Sequence, residues 1–193
     1  QYKILRYDAR GRAALPSPPQ PATLDMLADD LAAILAALRI PKLEVLVGVS
    51  MGGATALKFA LKYPEQLGKL VACDFNVASS AANTQAWKER IGVAETPLAD
   101  GTPGMAALAA QTVERWFHPH TAATQPYTVS WMVDMVATND VTGFAHSCQA
   151  LWDYDMRPAL RDCRVPALLV VGEGDAKGAL VKAMQGFRAD LGE

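Results

Sequence analysis

The chain has 193 residues, of which 51% are apolar and 20% charged, and its formal net charge at pH 7 is −2. This balance is ordinary for a folded globular domain and excludes a disordered or fibrous class of protein. The small charge and the dispersed basic residues give no reason to expect a nucleic acid or an anionic membrane as partner.

The first predicted element is a strand at Tyr2–Tyr7, which leads into a proline-rich surface loop at Pro16–Pro21. The chain opens at Gln1 and enters this strand directly, so we expect it to be a segment of a longer protein. Apolar residues then recur at helical spacing from Leu24 to Leu38. This spacing predicts an amphipathic helix that faces a sheet.

The next segment is an apolar strand, Leu43–Val49, that breaks at Ser50 and continues as a helix. A serine on so sharp a turn adopts a strained backbone conformation, and side chains at Gly48 and Gly52 would collide with the strand and the helix. The turn is predicted to raise the Ser50 hydroxyl above the sheet edge and to aim the N–H of Met51 at an oxyanion. The alternative is a tight turn whose serine only caps the helix.

A further buried strand at Lys69–Cys73 continues the alternation of strands and helices, which predicts an α/β fold with a mostly parallel sheet flanked by helices. After Asn76 the sequence holds no convincing strand until about Met156. We therefore predict a helical lid over 77–157, inserted between two core parts at 1–76 and 158–193. The lid helices are expected around Ala86–Ile91, Met105–Phe117, Thr128–Ala137 and Thr142–Tyr154.

The predicted lid contains all four tryptophans of the chain, Trp87, Trp116, Trp131 and Trp152. Together with nearby methionines they suit a lid over an apolar cavity, and they are candidates for substrate binding. The alternative is that they pack the lid onto the core.

Alternation resumes with a strand at Pro166–Val171, and a helix over Ala179–Leu191 is the last predicted element. An acidic residue just past the carboxyl end of a parallel strand lies where open α/β sheets place their sites. Asp175 is therefore the first candidate for the acid of a catalytic triad, Asp74 is the reserve and Glu173 is a weaker one. The alternative role of Asp175 is to cap the helix that follows.

A serine nucleophile needs a base, and in this architecture the histidine follows the acid in the chain. None of the chain's three histidines follows Asp175. His118 and His120 are spaced like a metal pair, but no carboxylate or cysteine pattern completes a zinc site. His146 lies in a predicted lid helix, which is a poor platform for a base. We assign no base, expect the histidine beyond Glu193, and infer no metal and no cofactor.

The cysteines, Cys73, Cys148 and Cys163, are odd in number and far apart, so they form neither a disulfide framework nor a zinc-ligand spacing. No apolar stretch approaches the roughly 20 residues that span a bilayer, and the N-terminus lacks the pattern of a signal peptide. We expect a cytoplasmic protein with reduced, mostly buried thiols.

Several motifs extend the pattern beyond the serine turn. In the core they are Tyr7–Gly11, the serine turn itself and Pro166–Asp175. In the predicted lid they are Trp87 with Arg90, Gly104–Ala109, Val113–Phe117, Gly143–Cys148 and Asp155–Pro158. Together they resemble the α/β-hydrolase superfamily and, within it, the 3-oxoadipate enol-lactonases. One loop departs from the family pattern, because Arg12 is followed by Ala13-Ala14-Leu15 where a second glycine and a serine are usual.

The resemblance implies an α/β-hydrolase fold with Ser50 as nucleophile, the Met51 N–H as one oxyanion donor and Asp175 as the acid that orients a histidine. The family's early strands, its second oxyanion loop and its last strand are not found. Because loss of one oxyanion donor costs about 10²–10³ in turnover, we expect this chain alone to be nearly inactive.

The implied reaction is hydrolysis of a lactone or carboxylic ester, and the first candidate substrate is a small enol-lactone from aromatic catabolism. Arg90 and Arg115 are candidates for holding a substrate carboxylate. A general esterase or C–C bond hydrolase with the same triad is one alternative, and a non-catalytic ligand-binding protein on this fold is another. A homo-oligomer is left open.

Overall fold

The computed structural model describes residues 2–12 and 20–192. Within them the chain separates into two compact units. We call residues 22–81 and 150–192 the sheet unit, and residues 2–12, 20, 21 and 82–149 the helical unit. The predicted proline loop lies largely outside the described residues, as do Ala13, Ala14 and Leu15. The lid boundaries at 77 and 157 stay predictions.

The sheet unit contains three parallel strands, β1 (Leu43–Val49), β2 (Leu67–Cys73) and β3 (Ala167–Val170), with β2 in the middle. Leu43 lies opposite Leu67 at the start of the first pair, and Leu70 lies opposite Ala167 in the second pair. The prediction of a parallel sheet is confirmed. Because all three strands run the same way, their carboxyl ends meet at one edge of the sheet.

Two helices, α1 (Leu24–Ala37) and α2 (Met51–Lys62), pack against each other beside this sheet. The predicted amphipathic character of α1 is confirmed, because its leucines at 24, 27, 31 and 35 are buried. Thr23 caps α1, with its Oγ1 accepting a hydrogen bond from the Met26 N–H at 3.1 Å. Phe59 and Ala60 of α2 are fully buried, so this helix forms much of the core.

The last part of the sheet unit follows β3. A turn over Asp175–Gly178, in which Ala176 and Lys177 have left-handed φ values, leads into α8 (Ala179–Arg188), which buries Met184 and Phe187. Phe187 contacts Phe75 edge to face, with ring centroids 5.3 Å apart. The sheet unit also contains two 3-10 helices, Pro64–Gln66 and Arg157–Asp162. The last two residues of a 3-10 turn at Gln149–Leu151 belong to it as well.

The strand predicted at Tyr2–Tyr7 is wrong. Residues 2–9 form no regular secondary structure, and Tyr2 and Ile4 are 84% and 83% exposed. Alternating apolar residues favour an extended chain, but a strand exists only where a neighbouring strand takes up its backbone hydrogen bonds. No described strand pairs with this segment.

The helical unit confirms the predicted run of helices without strands. Its helices are α3 (Ala81–Glu95), α4 (Gly104–Trp116), α5 (Pro119–Thr124), α6 (Pro126–Ala137) and α7 (Val141–Cys148). The helix predicted over Thr142–Tyr154 ends earlier, at Cys148, where a 3-10 turn over Gln149–Leu151 follows. Among the described residues, no helix has both the length and the apolar character that a bilayer crossing requires.

Candidate active site

The turn between β1 and α2 has the strained geometry that its sequence predicts. Ser50 has φ 57° and ψ −118°, in a region that residues other than glycine rarely adopt. Its side chain makes no capping hydrogen bond to α2, so the serine does not act as a simple helix cap. Ser50 is an exposed residue at the carboxyl end of β1.

The glycines around Ser50 have unequal roles. A Cβ at Gly48 would lie 2.1 Å from the Gly52 carbonyl oxygen, so the prediction that this position needs glycine is confirmed. The same prediction for Gly52 is wrong, because a Cβ there would meet no atom within 4 Å. The second tight position is Gly53, where a Cβ would lie 3.0 Å from the Cys73 carbonyl oxygen and 3.1 Å from the Phe75 Cβ. The adjacent glycines at 52 and 53 were the sequence feature that could have indicated a constraint at Gly53.

Met51 opens α2. The helical hydrogen bonds begin with Ala54 N–H to the Ser50 carbonyl oxygen at 3.0 Å, so the Met51 N–H precedes them. The Met51 carbonyl oxygen accepts a hydrogen bond from Thr55 Oγ1 at 2.8 Å. A hydrogen bond within the first turn of α2 thus stabilises that turn. The N–H of Met51 is available to an anion beside Ser50.

Asp175 lies in the loop after β3 and is exposed. Its N–H donates to the Gly172 carbonyl oxygen at 3.0 Å. It does not cap α8, because the residue at the N-cap of that helix is Gly178, with a left-handed φ of 81°. The capping alternative for Asp175 is therefore wrong. Glu173, the weaker candidate, is exposed in the same loop.

Backbone hydrogen bonds align the ends of the three strands. The Ser50 N–H donates to the Cys73 carbonyl oxygen at 2.9 Å, and the Asp74 N–H donates to the Val170 carbonyl oxygen at 2.9 Å. The strands that lead to Ser50 and Asp175 are each a neighbour of β2, so their axes lie about 10 Å apart. A histidine ring with a hydrogen bond on each side is the kind of group that connects two side chains over such a gap.

Asp74, the reserve acid, lies between these two strand ends and has a left-handed φ of 45°. Its Oδ1 accepts a hydrogen bond from the Gly172 N–H at 2.8 Å. Burial raises the pKa of the neighbouring Cys73 thiol, and the negative charge of Asp74 raises it further. The sequence offered no signal for the bond to Gly172, because the two residues are 98 positions apart.

The three histidines belong to the helical unit. His118 caps α5, with its Nδ1 accepting a hydrogen bond from the His120 N–H at 3.2 Å. His146 lies in the last turn of α7. Among the described residues, no group of three or more His, Cys, Asp or Glu side chains is arranged to hold a metal ion.

The four candidate tryptophans are divided between the units. Trp87 is half-buried on α3, where the Arg90 guanidinium lies 4.6 Å from its ring centroid. Trp116 and Trp131 are 58% and 59% exposed on α4 and α6. Trp152 is half-buried in the sheet unit. The structure thus gives Trp87 a cation partner and leaves two of the other indoles open to solvent.

Cationic side chains surround Cys148 in the helical unit. Burial raises the pKa of this thiol to about 11, against the opposing positive charges of Arg12 and Arg90. Burial also lowers the pKa of Arg90, and the nearby positive charge of Arg115 lowers it further. No carboxylate forms an ion pair with Arg90 or Arg115 within the described residues.

The cysteines and Tyr154 are buried or half-buried titratable groups. All three cysteines are free, with Cys148 and Cys163 buried and Cys73 half-buried. Tyr154 donates its hydroxyl to the Asn76 carbonyl oxygen at 2.9 Å, and burial raises its pKa to about 12. These groups are protonated at neutral pH and act as structural partners.

Comparison with known proteins relates this geometry to a family. The family model for the alpha/beta hydrolase fold matches residues 1–191. A 3-oxoadipate enol-lactonase 2 from Acinetobacter baylyi is 30% identical over 175 residues, which are 91% of this chain and 62% of that protein.

Two solved structures are also similar. The enol-lactonase from Burkholderia xenovorans is 28% identical with a TM-score of 0.80, covering 92% of this chain and 66% of that one. A thermophilic esterase from Thermogutta terrifontis is 27% identical with a TM-score of 0.81, covering 95% and 66%.

The chain thus spans 62% of the length of the Acinetobacter relative and 66% of each of these two structures. The match extends over nearly the whole chain and includes the serine turn and the loop of Asp175. It agrees with the resemblance found in the sequence motifs. The chain belongs to the family with the α/β-hydrolase fold.

Proposed function

We propose that the whole protein is a serine hydrolase that opens a lactone or cleaves a carboxylic ester. The observation that carries this proposal is the exposed Ser50, held at φ 57° between β1 and α2 without a capping role. A strained backbone at an exposed polar side chain is costly to fold, and such strain clusters at catalytic positions. The hydrolase names of the relatives support the same reaction class.

In this mechanism Ser50 Oγ attacks the acyl carbon while its proton passes to a histidine base. The carbonyl oxygen becomes an oxyanion that accepts a hydrogen bond from the Met51 N–H. The bond to the alcohol or enol oxygen then breaks, that oxygen takes the proton from the base, and an ester forms on Ser50. Water hydrolyses this ester and releases the carboxylic acid. Asp175 is assigned the role of orienting the base, and the base itself stays a prediction.

We infer an enol-lactone that carries a free carboxylate as the substrate to test first. Two relatives bear the name enol-lactonase. The helical unit also contains Arg90, half-buried on Trp87 and close enough to Arg115 for their charges to repel. The carboxylate of Glu89 acts on Arg90 without forming an ion pair, and no described carboxylate pairs with either guanidinium, which favours an anionic ligand. Trp87, Trp116, Trp131 and Trp152 are proposed to contact its apolar part.

A general esterase is the second candidate, because the esterase from Thermogutta terrifontis is as similar in structure as the enol-lactonase. The two activities share one triad, and the helical unit would select between their substrates. The free thiols agree with a reducing compartment, and we propose a cytoplasmic location.

The experiment compares hydrolysis of an enol-lactone carboxylate with hydrolysis of a neutral aryl ester by the whole protein. Ser50→Ala should abolish both activities. Arg90→Ala should raise KM for the lactone roughly 10- to 100-fold, since a charge-assisted hydrogen bond contributes about 1.5–3 kcal/mol, and should leave KM for the ester unchanged. Arg164→Ala, at an exposed arginine of the sheet unit, is the matched control. Equal effects of Arg90→Ala on both substrates would contradict the carboxylate assignment.

A further inference from the structure

Asp74 occupies the junction between the two strand ends that carry the proposed nucleophile and acid. It directly follows β2, the strand that lies between β1 and β3. Its backbone N–H donates to the Val170 carbonyl oxygen at 2.9 Å, so the residue is attached to the end of β3. Its left-handed φ of 45° is unfavourable for a residue with a side chain. Aspartate is among the residues that adopt this region when the short side chain finds a hydrogen-bond partner nearby.

That contact is to the backbone of the acid loop. Asp74 Oδ1 accepts the Gly172 N–H at 2.8 Å, and the carbonyl oxygen of the same Gly172 accepts the Asp175 N–H at 3.0 Å. Gly172 therefore forms one hydrogen bond to Asp74 through its N–H and another to Asp175 through its carbonyl oxygen. A Cβ built on Gly172 would lie 3.7 Å from the Asp175 Cβ and 3.9 Å from Asp74 Oδ1.

The loop beyond Gly172 has little regular structure of its own to hold Asp175 in place. Ala176, Lys177 and Gly178 have positive φ values of 46°, 56° and 81° in succession. Such a run is outside both helix and strand geometry. A hydrogen bond from outside the loop therefore contributes more to the position of Asp175 than it would if Asp175 lay on a helix or strand.

We propose that Asp74 is a positioning residue for the catalytic acid, holding through Gly172 the loop that carries Asp175. This inference rests on the proposed function. This role differs from that of triad acid, for which Asp74 was the reserve candidate from the sequence. As a positioning residue it needs only an acceptor oxygen, which asparagine also has. As the triad acid it would need the negative charge that favours the correct histidine tautomer, which asparagine lacks.

The test compares Asp74→Asn, Asp74→Gly and Asp175→Asn in the whole protein, with kcat, KM and Tm measured for an aryl ester. Asp74→Gly removes the acceptor while a glycine accepts φ 45° without strain, so this variant should fold. We expect its kcat to fall about 10- to 100-fold with KM unchanged, because a small misplacement of a catalytic group has this effect. Asp74→Asn should restore kcat to within about 3-fold of wild type, and Asp175→Asn should lower kcat about 10³- to 10⁴-fold.

Each contrary result has a distinct meaning. If Asp74→Asn loses as much kcat as Asp175→Asn, Asp74 is the acid itself and the positioning role is overturned. A wild-type kcat for Asp74→Gly also overturns it. If Asp175→Asn retains wild-type kcat while Ser50→Ala is inactive, the acid assignment fails and takes the positioning role with it. Activity in Ser50→Ala refutes the proposed function instead.

Discussion

Single residues at the serine turn are constrained by contact with backbone atoms. Gly48 faces the Gly52 carbonyl oxygen across the turn, at a distance that no Cβ tolerates. Ser50 has a positive φ, which costs a non-glycine residue on the order of 1–3 kcal/mol. The surrounding strand and helix supply this free energy, since Ser50 is tied to β2 through its N–H and to α2 through its carbonyl oxygen.

Gly48→Ala and Gly52→Ala form a matched pair that tests this constraint. Gly48→Ala should lower the free energy of unfolding by about 1–3 kcal/mol or more, because the added methyl group forces the turn apart. Gly52→Ala has open space and lies in a helix, so it should be neutral or stabilising by up to about 1 kcal/mol. Urea unfolding measures both values. Equal destabilisation by the two substitutions would contradict the structure.

The sequence motif alone predicted Ser50, Met51 and the tight contact at Gly48, because these depend on residues next to one another. It failed at Gly52 because a spacing rule does not show which way a Cβ points. The constraint at Gly53 depends on Cys73 and Phe75, about 20 residues later in the chain. A residue pattern therefore predicted the strand-turn-helix at Ser50 but not all of its packing.

Among the elements, α7 is joined to the N-terminal segment through the side chain of Arg12. The Arg12 guanidinium donates to Ser147 Oγ at 2.6 Å and to Asn139 Oδ1 at 3.3 Å, and lies 5.3 Å from the centroid of the Phe144 ring. Ser147 is fully buried, so its hydroxyl depends on this partner. The segment also approaches α7 closely, since a Cβ at Gly143 would lie 2.2 Å from the Gly11 carbonyl oxygen.

Arg12→Lys tests whether the planar guanidinium holds these elements together. Lysine keeps the charge, but one ammonium group cannot reproduce the two bonds and the ring contact. The free energy of unfolding should fall by about 1–3 kcal/mol, because at least one of the two hydrogen bonds and the contact with the Phe144 ring are lost. Arg188→Lys, at the exposed end of α8, is the control and should change it by less than about 0.5 kcal/mol. If urea unfolding gives the same value for both variants, Arg12 has no such role.

Elements with a strong local period were the most predictable. The buried leucines of α1 and the strand-turn-helix at Ser50 follow directly from spacing. Tyr2–Tyr7 was mispredicted because pairing depends on a neighbour that local sequence does not reveal. The 3-10 turn that follows α7 was missed for a related reason, since helix ends depend on local capping and packing more than on period.

At the scale of the whole molecule, stability depends on the protonation of buried groups. Burial raises the pKa of Cys148 from 9.0 to about 11. A raised pKa means that the folded state holds its proton longer than the unfolded chain does. The corresponding stability is fully present below pH 9 and is lost as pH rises toward 11. Two pKa units correspond to about 3 kcal/mol.

Cys148→Ala separates the contribution of Cys148 to this loss of stability from the contribution of Tyr154. Burial raises the pKa of Tyr154 to about 12. The wild-type free energy of unfolding should fall more steeply between pH 9 and pH 11 than that of the variant. Urea unfolding at several pH values, with reductant present, gives both slopes. Parallel curves would show that Cys148 does not contribute to the alkaline loss of stability.

At the scale of the whole molecule, the proposed reaction depends on residues that lie in separate segments of the sequence. The elbow and the acid loop could be predicted because each follows a short apolar strand. The bond that joins Asp74 to Gly172 could not, because it connects strand ends far apart in the sequence. The fold and the residues at its strand ends support the proposed hydrolase class, and the choice of substrate is a proposal about the helical unit.

The central claim is that Ser50 is the nucleophile, and covalent labelling of the whole protein tests it most directly. A fluorophosphonate reacts with an activated serine, and mass spectrometry of the digested protein identifies the modified residue. We predict one adduct, on Ser50, and no adduct in Ser50→Ala. Labelling that persists in Ser50→Ala, or an adduct mapped to another residue, would contradict the account.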